Sequence, residues 1–165
     1  MRFENKGVVV TGATGGIGRE TCLQFAAEGA AVAVTDLDLK LAERLASEIE
    51  EKGGKAVGYE LDVTDQEQTD TIVEQAANDL GSIDIIFCNA GIREIEPAHQ
   101  LPLDEWRKVI DVNVTGVFVS AQSFAKHCIS KGKPGVIINT ASTLGVMGST
   151  SRCAYPTSKH AVVGM

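Results

Sequence analysis

Apolar residues cluster in five short runs along the chain. Most of the runs are rich in valine, isoleucine and alanine, and they show no strict alternation of apolar and polar positions. This pattern is typical of strands that are buried on both faces of a parallel sheet. The runs therefore predict five strands, at residues 7–11, 30–35, 56–61, 83–88 and 135–140.

Longer segments with helical periodicity separate these runs. Several end at a glycine, the residue that most often follows a helix C-terminus, and these stops are Gly29, the Gly53-Gly54 pair, Gly81 and Gly132. Thr64 precedes the third segment and is a candidate N-cap. The predicted helices span residues 18–28, 37–52, 65–80, 104–131 and about 152–165.

The alternation of strands and helices indicates an α/β fold with a mostly parallel sheet. In the second helix, Leu41, Leu45 and Ile49 recur every four residues and are predicted to form its apolar face. Residues 141–152 are rich in Ser, Thr and Gly and predict a loop long enough to suggest a function. No shift in composition marks a linker, so residues 1–165 are predicted to form one domain.

The charge and the composition exclude several function classes. Lys and Arg number 15 against 22 Asp and Glu, which gives a net charge of −7. This acidic balance argues against a nucleic-acid partner and against an anionic membrane surface. No apolar run approaches the roughly 18 residues of a membrane span. Four scattered cysteines and three isolated histidines predict neither disulfides nor a metal site, and we expect a cytoplasmic protein with reduced thiols.

A glycine-rich loop joins the first predicted strand to the first predicted helix. Glycines let a backbone turn tightly and approach a pyrophosphate, whose charge is stabilised by free N–H groups at a helix N-terminus. Arg19 and Glu20 follow the last glycine, which excludes a nucleoside-triphosphate loop ending in Lys and Ser or Thr. The loop therefore predicts a dinucleotide site formed by Gly12, Thr14, Gly15, Gly16, Ile17 and Gly18.

An acidic residue follows the second predicted strand. Asp36 lies 18 positions after Gly18, close to the spacing of about 20 at which a carboxylate binds the adenosine ribose hydroxyls. A 2′-phosphate at this place would be repelled, and position 15 carries glycine rather than a basic residue. The sequence therefore favours NAD over NADP.

Tyr155 and Lys159 are four residues apart, so they project from one face of the last predicted helix. A phenol is a poor base at neutral pH, but a cation within about 4–6 Å favours the phenolate. Such a pair could exchange a proton with an alcohol or a carbonyl oxygen. Pro156 is tolerated within the first turn of a helix, which predicts a helix start near Arg152.

Taken together, the motifs resemble the short-chain dehydrogenase/reductase family, in its branch with a TGxxxGxG loop. The segment Thr11-Gly12-Ala13-Thr14-Gly15-Gly16-Ile17-Gly18 matches this loop, and Tyr155-Pro156-Thr157-Ser158-Lys159 matches the Tyr-x-x-Ser-Lys signature. Four further matches lie between the two, in the right order: Asp62-Val63, Asn89-Ala90-Gly91, Asn113 and Ser142.

The resemblance implies a three-layer α-β-α, Rossmann-like, doubly wound parallel sheet with the strand order 3-2-1-4-5-6. Only five strands are predicted, so we expect the last strand or strands to be missing and residues 135–140 to form an exposed apolar edge. The family also implies a homotetramer or homodimer, formed through the helix predicted at residues 104–131 and the last helix.

The resemblance also implies roles for individual residues. Asp62 and Val63 would meet the adenine ring, and Asn89, Ala90 and Gly91 would lie beside the cofactor. Tyr155 would act as acid and base, while Lys159 would hold the nicotinamide ribose and favour the tyrosinate. Ser142 would form a hydrogen bond with the reacting oxygen, and Asn113 would order a water in a proton relay. The expected reaction is hydride transfer between nicotinamide and a secondary alcohol or ketone.

Three alternatives remain open. A 3-oxoacyl-thioester reductase acting on acyl carrier protein would usually prefer NADPH, which Asp36 disfavours. A sugar-nucleotide epimerase or dehydratase would share the spacing of Tyr155 and Lys159 and use a TGxxGxxG loop, although the Asn-Ala-Gly motif favours the dehydrogenase branch. The third is an NAD-binding or interaction fragment with impaired catalysis, which the early stop of the sequence suggests.

Overall fold

The computed structural model describes all residues from 1 to 165. Its five strands form one sheet in which every pairing is parallel and the order is β3-β2-β1-β4-β5. This confirms the predicted α/β Rossmann-like fold. The strands are β1 (Gly7–Thr11), β2 (Ala31–Asp36), β3 (Lys55–Glu60), β4 (Ile85–Cys88) and β5 (Val136–Asn139).

Helices cover both faces of the sheet and make the fold three-layered. One apolar core lies between the sheet and α1 and α2, and a second lies on the other face, against α3 and α5. The helices are α1 (Gly16–Ala27), α2 (Leu39–Glu51), α3 (Gln66–Leu80), α4 (Leu103–Ile110), α5 (Gly116–Ser130) and α6 (Ala154–Gly164). None of them combines the length and the apolar character that a membrane crossing requires.

The central strand explains why the apolar runs do not alternate. Val8 and Val10 point into the core under α1 and α2, whereas Val9 points into the core under α3 and α5. All three side chains are at most 1% exposed. Full burial of a side chain of this size contributes about 1.5–3 kcal/mol, so an apolar residue is favoured at every position of the strand.

Glycines end the helices where the sequence predicts. Gly29, Gly53, Gly81 and Gly132 all have positive φ angles. After α1, the N–H of Ala30 donates to the carbonyl of Phe25 and closes the turn. This is the bond that a left-handed residue after a helix permits.

The chain is helical from Leu103 to Ser130, close to the helix predicted over residues 104–131, but a change of hydrogen-bond pattern that was not predicted divides this helix. A π-helical segment, Asp111–Thr115, separates α4 from α5, and the N–H of Gly116 bonds to the carbonyl of Asp111. Such segments often occur at functional sites. Here the segment carries Asn113, whose buried side-chain amide forms hydrogen bonds with Ile92 and Ser158, which lie outside this helix.

The predicted N-cap of α3 is also wrong. Asp65, rather than Thr64, caps the helix, because its carboxylate accepts a hydrogen bond from the N–H of Gln68 at 2.9 Å. The Thr64 hydroxyl donates instead to Asp62, at 2.7 Å.

Two further details differ from the predictions. Helix α6 begins at Ala154 rather than near Arg152, which places Pro156 at the third helical position. In α2, Leu41 is 46% exposed, and the buried face consists of Ala42, Leu45, Ala46 and Ile49. Each step of four residues turns about 40° around a helix of 3.6 residues per turn, so Leu41, two steps before Ile49, lies outside the buried face.

β5 forms one edge of the sheet, as predicted. Its apolar side chains Val136, Ile137 and Ile138 are 53%, 42% and 39% exposed, whereas the central strands are buried. The loop at residues 141–152 follows this strand and contains a single 3₁₀ turn, Thr143–Gly145.

A carboxylate before β4 ties β1 to β4. Asp84 accepts hydrogen bonds from Lys6 Nζ at 2.8 Å, Gly7 N–H at 3.0 Å and Ser82 Oγ at 3.0 Å. Burial alone would raise the pKa of Asp84, but these three donors outweigh it and lower the pKa below its ordinary value.

We predict that Asp84→Asn lowers the free energy of unfolding by about 1–3 kcal/mol at pH 7. Because the folded-state pKa is the lower one, the carboxylate stabilises the fold above its unfolded pKa of about 3.9, and this contribution is lost as the pH falls through the folded value. Urea denaturation at several pH values measures the deficit, which should shrink below about pH 4. The exposed Glu51→Gln is the charge-matched control. An Asp84→Asn deficit that stays constant with pH would contradict the prediction.

Candidate active site

The glycine-rich loop packs directly against the segment that follows β4. Gly12 has a φ of +59°, and a side chain there would lie 2.7 Å from the Cα of Ala90. A side chain on Gly18 would lie 2.9 Å from the side-chain nitrogen Nδ2 of Asn89. Only glycine at these two positions allows the loop and the β4 segment to approach this closely.

The first turn of α1 leaves its N–H groups without side-chain partners. Gly15 is the N-cap and forms no side-chain cap bond, and the space next to Gly16 is open. The first N–H groups of a helix have no intrahelical acceptor and carry partial positive charge. Gly15, Gly16 and Ile17 line a cleft, so this end of the helix could hold an anion.

Asp36, the last residue of β2, is held by the glycine-rich loop. Its Oδ2 accepts hydrogen bonds from the N–H of Thr14 at 2.9 Å and from the Thr14 hydroxyl at 2.7 Å. Its Oδ1 accepts from the N–H of Leu37 at 2.9 Å. These bonds fix the carboxylate at the mouth of the cleft.

Residues after β4 lock this strand to β1. Thr11 Oγ1 accepts hydrogen bonds from the N–H groups of Asn89 at 3.0 Å and Ala90 at 3.1 Å. In return, the Asn89 amide donates to the carbonyls of Thr11 at 3.2 Å and Gly12 at 2.9 Å. The Asn-Ala-Gly segment and the glycine-rich loop therefore form one hydrogen-bonded unit.

Asn113 lies behind the cleft and is completely buried. Its Oδ1 accepts from the N–H of Ile92 at 2.8 Å, and its Nδ2 donates to the Ile92 carbonyl at 2.8 Å and to Ser158 Oγ at 3.0 Å. The side chain thus joins the segment after β4 to α6.

Lys159 is a buried cation at the base of the cleft. Its side chain is held by one hydrogen bond, from Nζ to the Thr140 carbonyl at 2.7 Å, and the residue is 3% exposed. The same Nζ lies 5.6 Å from the centroid of the Tyr155 ring. Burial lowers the pKa of Lys159 below its ordinary value, because desolvation disfavours the charged form.

Ser142 is the N-cap of the 3₁₀ turn after β5. Its Oγ accepts a hydrogen bond from the N–H of Leu144 at 3.1 Å, and the residue is half-buried. The hydroxyl donates no hydrogen bond within the protein, so its hydrogen is free to be donated elsewhere.

One cleft of about 830 Å³ brings most of the predicted residues together. Gly18, Asn113 and Ser142 do not line it. Sequence reasoning missed the cationic lining residue Lys108, because it belongs to no motif. The predicted residues that line it are Gly12, Thr14, Gly15, Gly16, Ile17, Asp36, Asp62, Val63, Asn89, Ala90, Gly91, Tyr155 and Lys159.

A second cleft, of about 750 Å³, lies at the opposite end of the sheet and contains none of these residues. The ammonium groups of its lysines already donate hydrogen bonds: Lys6 to Asp84, Lys52 to Glu48 and Lys55 to the Leu80 carbonyl. The first cleft is therefore the stronger candidate for a functional site.

Comparison with known proteins places the chain in a family. The sequence model of the family described as short chain dehydrogenase matches residues 6–165. Cyclohexanol dehydrogenase of Acinetobacter sp. is 36% identical over 99% of this chain and 65% of its own length. The 3-oxoacyl-acyl-carrier-protein reductase of Thermotoga maritima is 38% identical over the whole chain and 67% of its own length. The chain thus spans about two thirds of these curated relatives.

Solved structures agree with these sequence matches. A short-chain type dehydrogenase/reductase from Mycobacterium marinum superposes with a TM-score of 0.94 at 39% identity, over 98% of this chain and 66% of the other. An NAD⁺-bound xylitol dehydrogenase also gives 0.94, at 37% identity, over 99% of this chain and 63% of the other. The chain therefore belongs to the short-chain dehydrogenase/reductase family of NAD(P)-binding oxidoreductases.

Proposed function

We propose that the protein is an NAD(H)-dependent oxidoreductase that transfers a hydride between nicotinamide and a secondary alcohol or ketone. The observation that carries the proposal is the buried ammonium of Lys159, which lies 5.6 Å from the Tyr155 ring in the cleft that begins at α1. Relatives named as cyclohexanol and meso-2,3-butanediol dehydrogenases support a secondary alcohol as the substrate class.

The residues of the cleft fit a dinucleotide. Open space at Gly16 and the free N–H groups of α1 suit a pyrophosphate, and the buried Thr140 hydroxyl oxygen has no partner within the protein. We assign the pyrophosphate to Gly12, Thr14, Gly15, Gly16, Ile17 and Gly18, the adenosine ribose to Asp36, the adenine to Asp62 and Val63, and the nicotinamide half to Asn89, Ala90, Gly91, Tyr155 and Lys159.

The cofactor, when bound, supplies the hydride acceptor or donor. The phenolic oxygen of Tyr155 takes the proton of the alcohol, or returns it to the carbonyl oxygen. Lys159 stabilises the phenolate through its positive charge, which the Thr140 carbonyl holds in place. Proton transfer from a positioned side chain contributes typically about 10²–10⁴-fold to the rate.

Ser142 and Asn113 complete the proposed proton path. Ser142 donates its free hydroxyl hydrogen to the reacting oxygen. The Oδ1 of Asn113 accepts one bond, from Ile92, and keeps a second lone pair for an ordered water.

We propose NAD rather than NADP as the physiological cofactor. The Asp36 carboxylate is held by Thr14 at the end of β2, where it would repel a 2′-phosphate. The NAD⁺-bound state of the xylitol dehydrogenase relative is consistent with this choice.

A second candidate is the reduction of 3-oxoacyl thioesters with NADPH. It is favoured by the 38% identity to the Thermotoga maritima reductase and disfavoured by Asp36. A third candidate, an NAD-binding fragment without turnover, predicts cofactor binding and no oxidation of any alcohol.

We also propose a cytoplasmic homodimer or homotetramer acting on a small-molecule alcohol or ketone. Four free thiols support a reducing compartment. On α5, Phe118 and Ile129 are 51% and 80% exposed and flank Gln122 and Ala125 at spacings of four, three and four residues. Such a stripe is typical of helices that pack against a partner helix.

We predict that Tyr155→Phe lowers kcat by about 10²-fold or more, because the phenolic oxygen that moves the proton is lost. The dissociation constant for NAD, measured by calorimetry, should stay within about threefold. Tyr59→Phe is the matched control, since Tyr59 bonds Asp79 outside the cleft. A Tyr155→Phe variant with undiminished turnover would overturn the proposed acid/base.

We predict that Asp36→Asn improves the binding of NADP relative to NAD. The dissociation constant for NADP divided by that for NAD should fall at least about tenfold, which corresponds to about 1.4 kcal/mol. The loss of the negative charge removes the repulsion of a 2′-phosphate. Asp38→Asn is the control, because it removes a charge two positions away while an asparagine still caps α2. An unchanged ratio in Asp36→Asn would show that this carboxylate does not select the cofactor.

We predict that Phe118→Glu combined with Ile129→Glu weakens self-association, because two buried charges would face one another across the interface. Sedimentation velocity should show a smaller species at equal protein concentration. Leu41→Glu, on the exposed side of α2, is the control and should leave the assembly unchanged. A double variant that sediments like the wild type would exclude the α5 stripe as the interface.

A further inference from the structure

Helix α6 begins without a cap from its own sequence. Its N-cap residue, Cys153, forms no side-chain cap bond, and Pro156 has no N–H. The first backbone bond of the helix runs from the N–H of Thr157 to the Cys153 carbonyl at 3.2 Å. The N–H groups before Thr157 therefore need acceptors from elsewhere in the chain.

Glu94 supplies these acceptors from a distant part of the sequence. Its Oε1 accepts from the N–H of Cys153 at 2.7 Å, and its Oε2 accepts from the N–H of Tyr155 at 3.0 Å. The residue is only 8% exposed and forms no ion pair with a lysine, arginine or histidine. A buried carboxylate without a cation is stabilised here by backbone donors and by the positive end of the helix.

The same segment is anchored at its other end. Two residues before Glu94, the N–H and the carbonyl of Ile92 both bond the Asn113 side chain. Asn113 also bonds Ser158, whose hydroxyl donates to the Tyr155 carbonyl at 2.7 Å. Both backbone polar groups of Tyr155 are thus fixed, the N–H by Glu94 and the carbonyl by Ser158.

We infer that Glu94 is a positioning residue, which holds the first turn of α6 and so fixes the phenolic oxygen of Tyr155 relative to cofactor and substrate. This inference rests on the proposed function. A misplacement of about 1 Å in a reacting group can cost about 10²-fold in rate, even when the change lies outside the reacting centre. Glu94 therefore acts on kcat through Tyr155 rather than on substrate binding.

The test compares Glu94→Ala and Glu94→Gln in the full chain. In Glu94→Ala both acceptors are lost, and we expect kcat to fall about 10- to 100-fold, with KM and the NAD dissociation constant within about threefold. Glu94→Gln keeps one oxygen acceptor and should recover most of kcat. Asp65→Ala is the matched control, because it removes the N-cap of α3 and should lower stability without lowering kcat.

Hydrogen exchange of the peptide covering residues 153–159 gives a readout that does not depend on turnover. Glu94→Ala should speed exchange there at least about tenfold, and Asp65→Ala should not. Unchanged exchange, or a kcat within twofold of the wild type in Glu94→Ala, would overturn the inference. If the wild type oxidises no alcohol, the proposed function fails, and the exchange data alone decide whether Glu94 holds Tyr155. If Glu94→Ala does not fold, Glu94→Asp replaces it in both measurements with the same criteria, because a side chain shorter by one methylene moves the carboxylate away from the N–H groups of Cys153 and Tyr155.

Discussion

The burial of the Lys159 charge is the constraint on which the rest of the site depends. An ammonium group that is removed from water is costly unless an acceptor compensates it, and Lys159 has one acceptor, the Thr140 carbonyl. This bond requires the end of β5 to lie beside α6. Asn113 and Glu94 then hold α6 from the other side, so that Tyr155 and the buried cation stay in the same cleft.

Most of the fold could be predicted from the sequence, because both faces of the sheet are covered. Val8, Val9 and Val10 must all be apolar, and such runs distinguish buried parallel strands from surface strands. The order of the strands also places the glycine-rich loop and the segment after β4 side by side at the carboxyl ends of neighbouring strands, where ligands bind in open α/β sheets. Residues assigned from separate motifs therefore meet in one cleft. The assignment of residues 1–165 to one domain stays a prediction.

The remaining features depend on contacts that no local pattern encodes. Glu94 caps a helix that begins about 60 residues later, and an acceptor so far away leaves no signal in the spacing of motifs. The π segment around Asn113 keeps the apolar pattern of a continuous helix, and it is distinguished by its backbone hydrogen bonds, such as that from the N–H of Gly116 to the carbonyl of Asp111. The Thr140 contact with Lys159 uses a backbone carbonyl, which every residue possesses.

The central claim is that this cleft couples a buried lysine and a tyrosine to hydride transfer with nicotinamide. The most direct test is to mix the protein with NAD and a panel of cyclic and linear secondary alcohols and to follow the absorbance of reduced nicotinamide. The account predicts that at least one alcohol gives reduced cofactor with the wild type and that Lys159→Met abolishes this signal. A wild-type protein that binds NAD and reduces none of it, or a Lys159→Met variant that is as active as the wild type, would contradict the account.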